Sequence, residues 1–262
     1  MTSSRKIDSL RHLVGFVICT FNQEAYLRSC IESIVALSGY ANEPIHIVND
    51  GSTDGTLLLL KDLSQEHMSL VVYSHENCGI ERSCNIAIRD LKTMYYVRVD
   101  SDDTLDAGCL EALGKGIREN NFPDFIYGDY EIHDEVSGKK VSVDLDGITD
   151  DRISSIGDFN ATGTCVKISS FRKIGGFDES TPNCGLENYS LVLRLIASGY
   201  SGAHVKAQTF TYRYHGNNMS RLRLDEITRY GQELHKKLGL EDYSRGPLHP
   251  SYLIGVNANK AQ

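Results

Sequence analysis

The sequence predicts an α/β protein built as a three-layer α/β/α sandwich around a mostly parallel sheet. Two observations carry this reading. Up to residue 103, short apolar runs alternate with stretches of helical periodicity. Three polar clusters, at 20–24, 49–54 and 100–103, each follow directly on an apolar run. In open parallel sheets, that is where ligands sit.

The elements follow in order. Val14–Thr20 (VGFVICT) is almost wholly apolar, as a strand covered on both faces requires. The polar turn Phe21-Asn22-Gln23-Glu24 comes next. Leu27, Cys30, Ile31, Ile34 and Val35 recur at helical spacing, with Gly39 as the stop. Residues 45–48 form a second strand, and Asn49-Asp50-Gly51-Ser52-Thr53-Asp54-Gly55 is a turn by composition. Residues 56–63 read as a helix, 70–73 as a strand, 85–91 as a helix and 95–99 as a strand.

The second half is less regular. Residues 125–127 and 164–168 read as strands, with a hairpin and loop in the acidic stretch 131–158 between them. Leu191, Leu195 and Ile196 share one face of a helix over 186–198, closed by Gly199. Residues 204–214 resemble an edge strand. A helix runs from about 222 to 238, and 246–262 is loop-like. The organisation expected is one domain with subregions 13–103, 104–220 and 221–262.

Composition narrows the function. The chain has 262 residues with formal net charge −8, whereas nucleic-acid surfaces are normally basic, so no nucleic-acid partner is expected. Seven cysteines lie at irregular spacing with no C-x-x-C pair, which suits a reduced, cytoplasmic protein and argues against a structural zinc site. The polar start MTSSRKIDSLRH lacks the apolar core of a signal peptide, and no apolar run reaches the roughly 20 residues that span a bilayer. Membrane contact is expected to be peripheral at most, at the inner face. Arg221, Arg223, Arg229, Lys236 and Lys237 interleave with Asp225, Glu226 and Glu233, and a solvated face or a homodimer contact explains them equally well.

The segment Asp100-Ser101-Asp102-Asp103 places three carboxylates directly after a strand. Carboxylates this close repel unless a cation or a proton lies among them. Hard oxygen donors suit Mn²⁺ or Mg²⁺, which can bridge the phosphates of a nucleotide. A calcium-loop pattern fits Asp100, Asp102, Thr104, Asp106 and Glu111, but Leu105 stands where that loop needs glycine. Asp100-x-Asp102-x-Thr104 and Asp54-Gly55-Thr56-Leu57 echo haloacid-dehalogenase-type phosphatases. The two fragments lie on different strand ends, and the phosphatase remains an alternative.

Read together, several segments resemble the family 2 glycosyltransferases of the GT-A, Rossmann-like fold. They are Thr20-Phe21-Asn22-Gln23-Glu24 through Leu27, Val48-Asn49-Asp50-Gly51-Ser52-Thr53-Asp54-Gly55-Thr56, Asn77-x-Gly79 with Asn85, and Asp100-Ser101-Asp102-Asp103. Further along come Gly175-Gly176-Phe177-Asp178-Glu179 with Glu187-Asn188-Tyr189-Ser190-Leu191, then Tyr212-Arg213-Tyr214-His215 with Ser220.

The resemblance implies an inverting, single-displacement transfer from a nucleotide-sugar, most simply a UDP-sugar, to a glycan or lipid-linked saccharide acceptor. Residues 13–103 would hold the donor and 104–220 the acceptor. Thr20, Asn22, Glu24 and Asp50 would line the base and ribose pocket, and Arg82 and Asn85 would face the nucleotide. Asp100 and Ser101 would approach ribose or metal. Asp102 would be the principal ligand of Mn²⁺ or Mg²⁺, with His215 completing it. Tyr127, Tyr130, Tyr189 and Tyr212 are candidates for packing on sugar faces. Two departures stand out. Cys84 occupies the place of the family's usual arginine, and Asn188 that of its usual general base, which leaves Glu187 as the candidate base. A catalytically weakened relative that binds nucleotide-sugar or glycan is the second reading.

Overall fold

The computed structural model describes residues 13–37, 40, 43–145, 152–156, 158, 162–243 and 253. Its first part alternates strictly: β1 (Val14–Thr20), α1 (Leu27–Val35), β2 (Ile45–Asp50), α2 (Thr56–Glu66), β3 (Leu70–His75), α3 (Ile80–Arg89) and β4 (Tyr95–Asp100). The four strands lie parallel in the order β3-β2-β1-β4. Every residue of β1 and β2 is buried, which is why β1 is almost wholly apolar and why the polar residues of β2, His46, Asn49 and Asp50, are hydrogen-bonded. Burying side chains such as Phe16, Val17 and Ile18 stabilises the sheet by about 1.5–3 kcal/mol each.

The chain then adds β5 (Thr104–Leu105), α4 (Cys109–Glu119), β6 (Phe125–Asp134), β7 (Lys140–Val143), α5 (Ile153–Ile156), β8 (Cys165–Lys167), α6 (Ile168–Lys173), α7 (Glu187–Ala197), β9 (Gly202–Tyr214), α8 (Met219–Leu222) and α9 (Leu224–Leu238). β8 runs antiparallel between β4 and β6, and β9 lies parallel to β6. β6 and β9 therefore point the same way as β1–β4, while β5, β7 and β8 oppose them. The sheet is mostly parallel, as expected.

Several bounds differ from the sequence reading. β2 continues through Asn49 and Asp50, and α3 starts at Ile80, five residues earlier than the predicted 85. α1 ends at Val35, while Gly39 lies outside the described residues. α4 and β5 were not anticipated. The hairpin expected within 131–158 is β6–β7. β9 is paired along its length with β6 and, at Phe210 and Thr211, with β5, so it is not a simple edge. Most of 246–262 lies outside the described residues. Among the described residues, no helix is long and apolar enough to cross a membrane.

Register brings the polar strand ends together. Cys19 lies opposite Val48 on one side and Asp100 on the other, and Thr20 opposite Asn49.

Candidate active site

A cavity of about 1040 Å³ opens over these strand ends. Thr20, Asn22, Glu24, Asp50, Asp100, Ser101, Asp102, Glu187 and His215 all line it. Arg82 and Asn85 do not. α3 is already in its second turn at Asn85, so that side chain points to another partner. It donates to the Phe177 carbonyl (3.0 Å) and to Glu179 Oε1 (2.8 Å), and accepts from the Phe177 amide (2.9 Å). Arg82, one helical turn earlier, is exposed.

The β1–α1 and β2–α2 connections brace each other. Asn22 takes the left-handed conformation (φ 55°), which asparagine tolerates, and its Oδ1 accepts from the Thr53 amide at 2.8 Å. Glu24 Oε2 accepts from the Gly55 amide, and the Glu24 amide donates to Asp54 Oδ2. Asp50 is buried and grips the start of α3, accepting from the amides of Cys78 (2.8 Å) and Gly79 (3.1 Å). Thr20 is buried, and its hydroxyl finds no hydrogen-bond partner among the described residues.

The acidic cluster divides by environment. Asp103 is fully buried, accepts from the Arg213 amide and lies 2.6 Å from the Thr162 hydroxyl. Burial pushes its carboxyl well above the usual range, with the charges of Asp102 and Asp100 adding. With both oxygens taken by the Arg213 amide and the Thr162 hydroxyl, this carboxyl serves the fold. Asp100 pairs with Arg98 at 2.8 Å and with the Thr162 hydroxyl at 3.0 Å. Burial pushes it up to about 6, against the pull of Arg98 and with Asp102 adding. Asp102 faces the cavity, and its Oδ2 lies 3.1 Å from His215 Nε2. Its other oxygen makes no hydrogen bond among the described residues, so this is the carboxylate that fits a hard divalent cation.

His215, expected to complete the metal site, stands beside Asp102, with its Nε2 3.1 Å from Asp102 Oδ2. The Asn217 amide donates to its Nδ1 at 3.1 Å. The ring stacks on Tyr26 (4.7 Å between centroids), and Arg213 lies 5.0 Å from the Tyr26 centroid. The His215 amide is pinned by Asn218 Oδ1.

Glu187 opens α7 and is buried. Arg98 donates to its Oε1 at 2.6 Å, while Oε2 has no hydrogen-bond partner among the described residues. Behind it, Glu81 accepts from the amides of Asn183 (2.8 Å) and Cys184 (2.9 Å). Burial raises the Glu81 carboxyl, with the Glu187 charge adding. Asn188 also lines the cavity. Of the tyrosines considered, Tyr189 and Tyr212 line it, whereas Tyr130 stacks on Phe210 and Tyr127 packs beside Phe125 and His204.

The sequence reading missed Arg98, Thr162, Glu81, Tyr26 and Asn218. For Arg98 a signal existed, because a lone cation inside the apolar strand YYVRVD demands buried anions. Thr162 and Asn218 carry no comparable signal.

Comparisons with known proteins bear on this site. The model of the family "Glycosyl transferase family 2" matches residues 16–175. Glycosyltransferase GlyA of Streptococcus pneumoniae serotype 4 is 33% identical over 125 residues, 48% of this chain and 18% of that protein. An uncharacterized glycosyltransferase of Haemophilus influenzae is 32% identical over 110 residues, 42% of this chain and 34% of that protein. The match thus spans about a third or less of these relatives' own length. The crystal structure of S. aureus TarS 1-349 in complex with UDP-GlcNAc superposes with a TM-score of 0.70 at 14% identity, covering 92% of this chain and 71% of that one. At that identity the likeness speaks for the fold alone.

Proposed function

Since the chain belongs to glycosyl transferase family 2, we propose that it moves a sugar from a UDP-linked donor to a hydroxyl of a glycan or lipid-linked saccharide, by a single inverting displacement. Its fold is the GT-A fold of the TarS neighbour. Family membership removes the phosphatase alternative.

One observation carries the reading. A single cavity holds Asp102, with an oxygen in reserve, and Glu187, whose Oε2 is buried without a hydrogen-bond partner among the described residues. The donor end is Thr20 and Asp50, whose carboxylate has lone pairs left to accept a base N–H such as uracil offers. A neighbour crystallised with UDP-GlcNAc supports that choice of nucleotide. Asp102, with Asp100 beside it, would hold Mn²⁺ or Mg²⁺, whose charge stabilises a departing diphosphate. His215, whose Nε2 lies 3.1 Å from Asp102 Oδ2, would complete the cation's protein ligands. Arg98 anchors one oxygen of Glu187. The free oxygen takes the proton from the acceptor hydroxyl as that hydroxyl attacks the anomeric carbon.

The test uses UDP-sugars with Mn²⁺. Asp102→Ala is expected to weaken UDP binding about tenfold or more, since it removes the cation's main ligand. Glu187→Gln is expected to keep UDP binding and lower turnover by roughly 10²–10⁴-fold. Failure of the wild type to bind UDP at millimolar concentration with Mn²⁺ would overturn the proposal. Asn188, where a base is usual, favours the second reading, a weakened relative. Tight UDP-sugar binding with no turnover, unchanged in Glu187→Gln, is the result that would select it.

A further inference from the structure

Beside the base end of the cavity lies a cluster of which the proposed reaction uses only Asp50. His75 ends β3 and Cys78 follows in the connection to α3, with Asp50 next to them at the end of β2. Donor atoms of the three lie within 4.8 Å of one another. We propose that Asp50, His75 and Cys78 form a binding site for a soft divalent cation of the Zn²⁺ class, distinct from the hard-cation position at Asp102.

The spacing suits such an ion. His75 Nδ1 is 3.5 Å from Cys78 Sγ and 3.5 Å from Asp50 Oδ1. Zinc bonds of about 2.0–2.3 Å in a tetrahedron hold their ligands roughly 3.3–3.8 Å apart. The donors are also oriented. The Cys78 and Gly79 amides fix the Asp50 carboxylate. The opposite ring nitrogen of His75, Nε2, lies 3.5 Å from the Ser83 hydroxyl. A metal on Nδ1 leaves the ring proton on Nε2, and Ser83 is there to accept it, the outer-shell partner that metal-bound histidines use. His75 Nδ1 now lies 2.8 Å from the Glu76 carbonyl, so a cation that takes this nitrogen displaces that contact.

Ligand chemistry separates this site from the first. Nitrogen, thiolate and carboxylate together select zinc-like ions, whereas carboxylate oxygens alone select Mg²⁺ or Mn²⁺. Access is available, because Cys78 is the one cysteine of the seven that is not buried. Asp50 also lines the cavity, so occupation of this site would draw on a residue assigned to the nucleotide. That consequence rests on the donor reading; the site itself does not.

The experiment is a Co²⁺ titration of the full chain in its reduced state, followed by Zn²⁺ competition. Wild type is expected to show a thiolate-to-cobalt charge-transfer band that Zn²⁺ abolishes and millimolar Mg²⁺ leaves in place. Cys78→Ser should remove the band, and His75→Gln should weaken Zn²⁺ binding about tenfold or more. On unmutated protein, Zn²⁺ should also shield Cys78 from alkylation, a readout that needs no variant to fold. Absence of the band in folded wild type, or equal Zn²⁺ affinity in wild type and Cys78→Ser, would show a hydrogen-bonded trio only and overturn the site. UDP binding by metal-free Cys78→Ser separates this outcome from failure of the donor reading.

Discussion

At the residue scale, the centre of the site is Arg98. Its side chain is 3% exposed and joins Asp100 to Glu187, so it ties the donor end of the cavity to the candidate base. Removing one member of a buried ion network leaves the others desolvated and unpaired. Arg98→Met is therefore expected to cost about 3–5 kcal/mol in urea unfolding. Adding Glu187→Gln should recover part of that loss, because it deletes one stranded charge. A cost below about 1 kcal/mol would mean the network is not intact in solution. Arg98→Lys keeps the charge without the fork that reaches both carboxylates, and should lower turnover more than UDP affinity. Some of this was readable in the sequence. Asp50, Asp100, Asp102 and Glu187 sit where strand-end or helix-start carboxylates were expected. Arg98 went unread because its partners are 2 and 89 residues away, and only the fold makes them neighbours.

At the scale of elements, the unexpected feature is the clasp between α3 and the glycine turn after α6. Gly176 has φ +75°, and a Cβ there would meet Asn85 Oδ1 at 2.6 Å. Gly176→Ala is expected to cost about 1–3 kcal/mol through backbone strain. It should also raise amide exchange across α3, whose inner face loses the Asn85–Phe177 bonds; unchanged exchange would refute the clasp. The elements legible from sequence were those with an uninterrupted period, such as β1 and α7. α4 was not, although Cys109, Leu110, Leu113 and Ile117 follow helical spacing. Gly114 and Gly116 lower its intrinsic helix propensity. The structure supplies the reason for the second glycine: a Cβ at Gly116 would come within 2.2 Å of Val205, so close packing of α4 on β9 requires its absence. Packing overrode propensity there.

At the scale of the whole molecule, buried acids shape the response to pH. Burial, with Glu187 adding, raises Glu81 above its unfolded value, and Asp100 and Asp103 shift the same way. The folded chain thus holds these protons more tightly than the unfolded chain does. The resulting stabilisation is complete below the unfolded carboxyl range, near pH 4, and is lost as pH rises through the raised folded values. Without divalent cations, unfolding free energy should decline on this account as pH rises from the unfolded carboxyl range through about 6, where Asp100 titrates in the fold, and Glu81→Gln should make the decline shallower. Parallel profiles would exclude Glu81 as a contributor. The fold class was legible at this scale because alternating apolar runs and helices leave few ways to arrange a parallel sheet. The route by which the second half joins it was not. That join is β8, three residues long, hydrogen-bonded to β4 on one side and β6 on the other. Until β8 arrives, the backbone of Tyr95, Tyr96 and Val97 offers its amides and carbonyls to any passing strand. A nascent chain that has already knitted β1–β4 therefore carries a sticky rim, and only a short segment about 70 residues downstream can seal it before another molecule does.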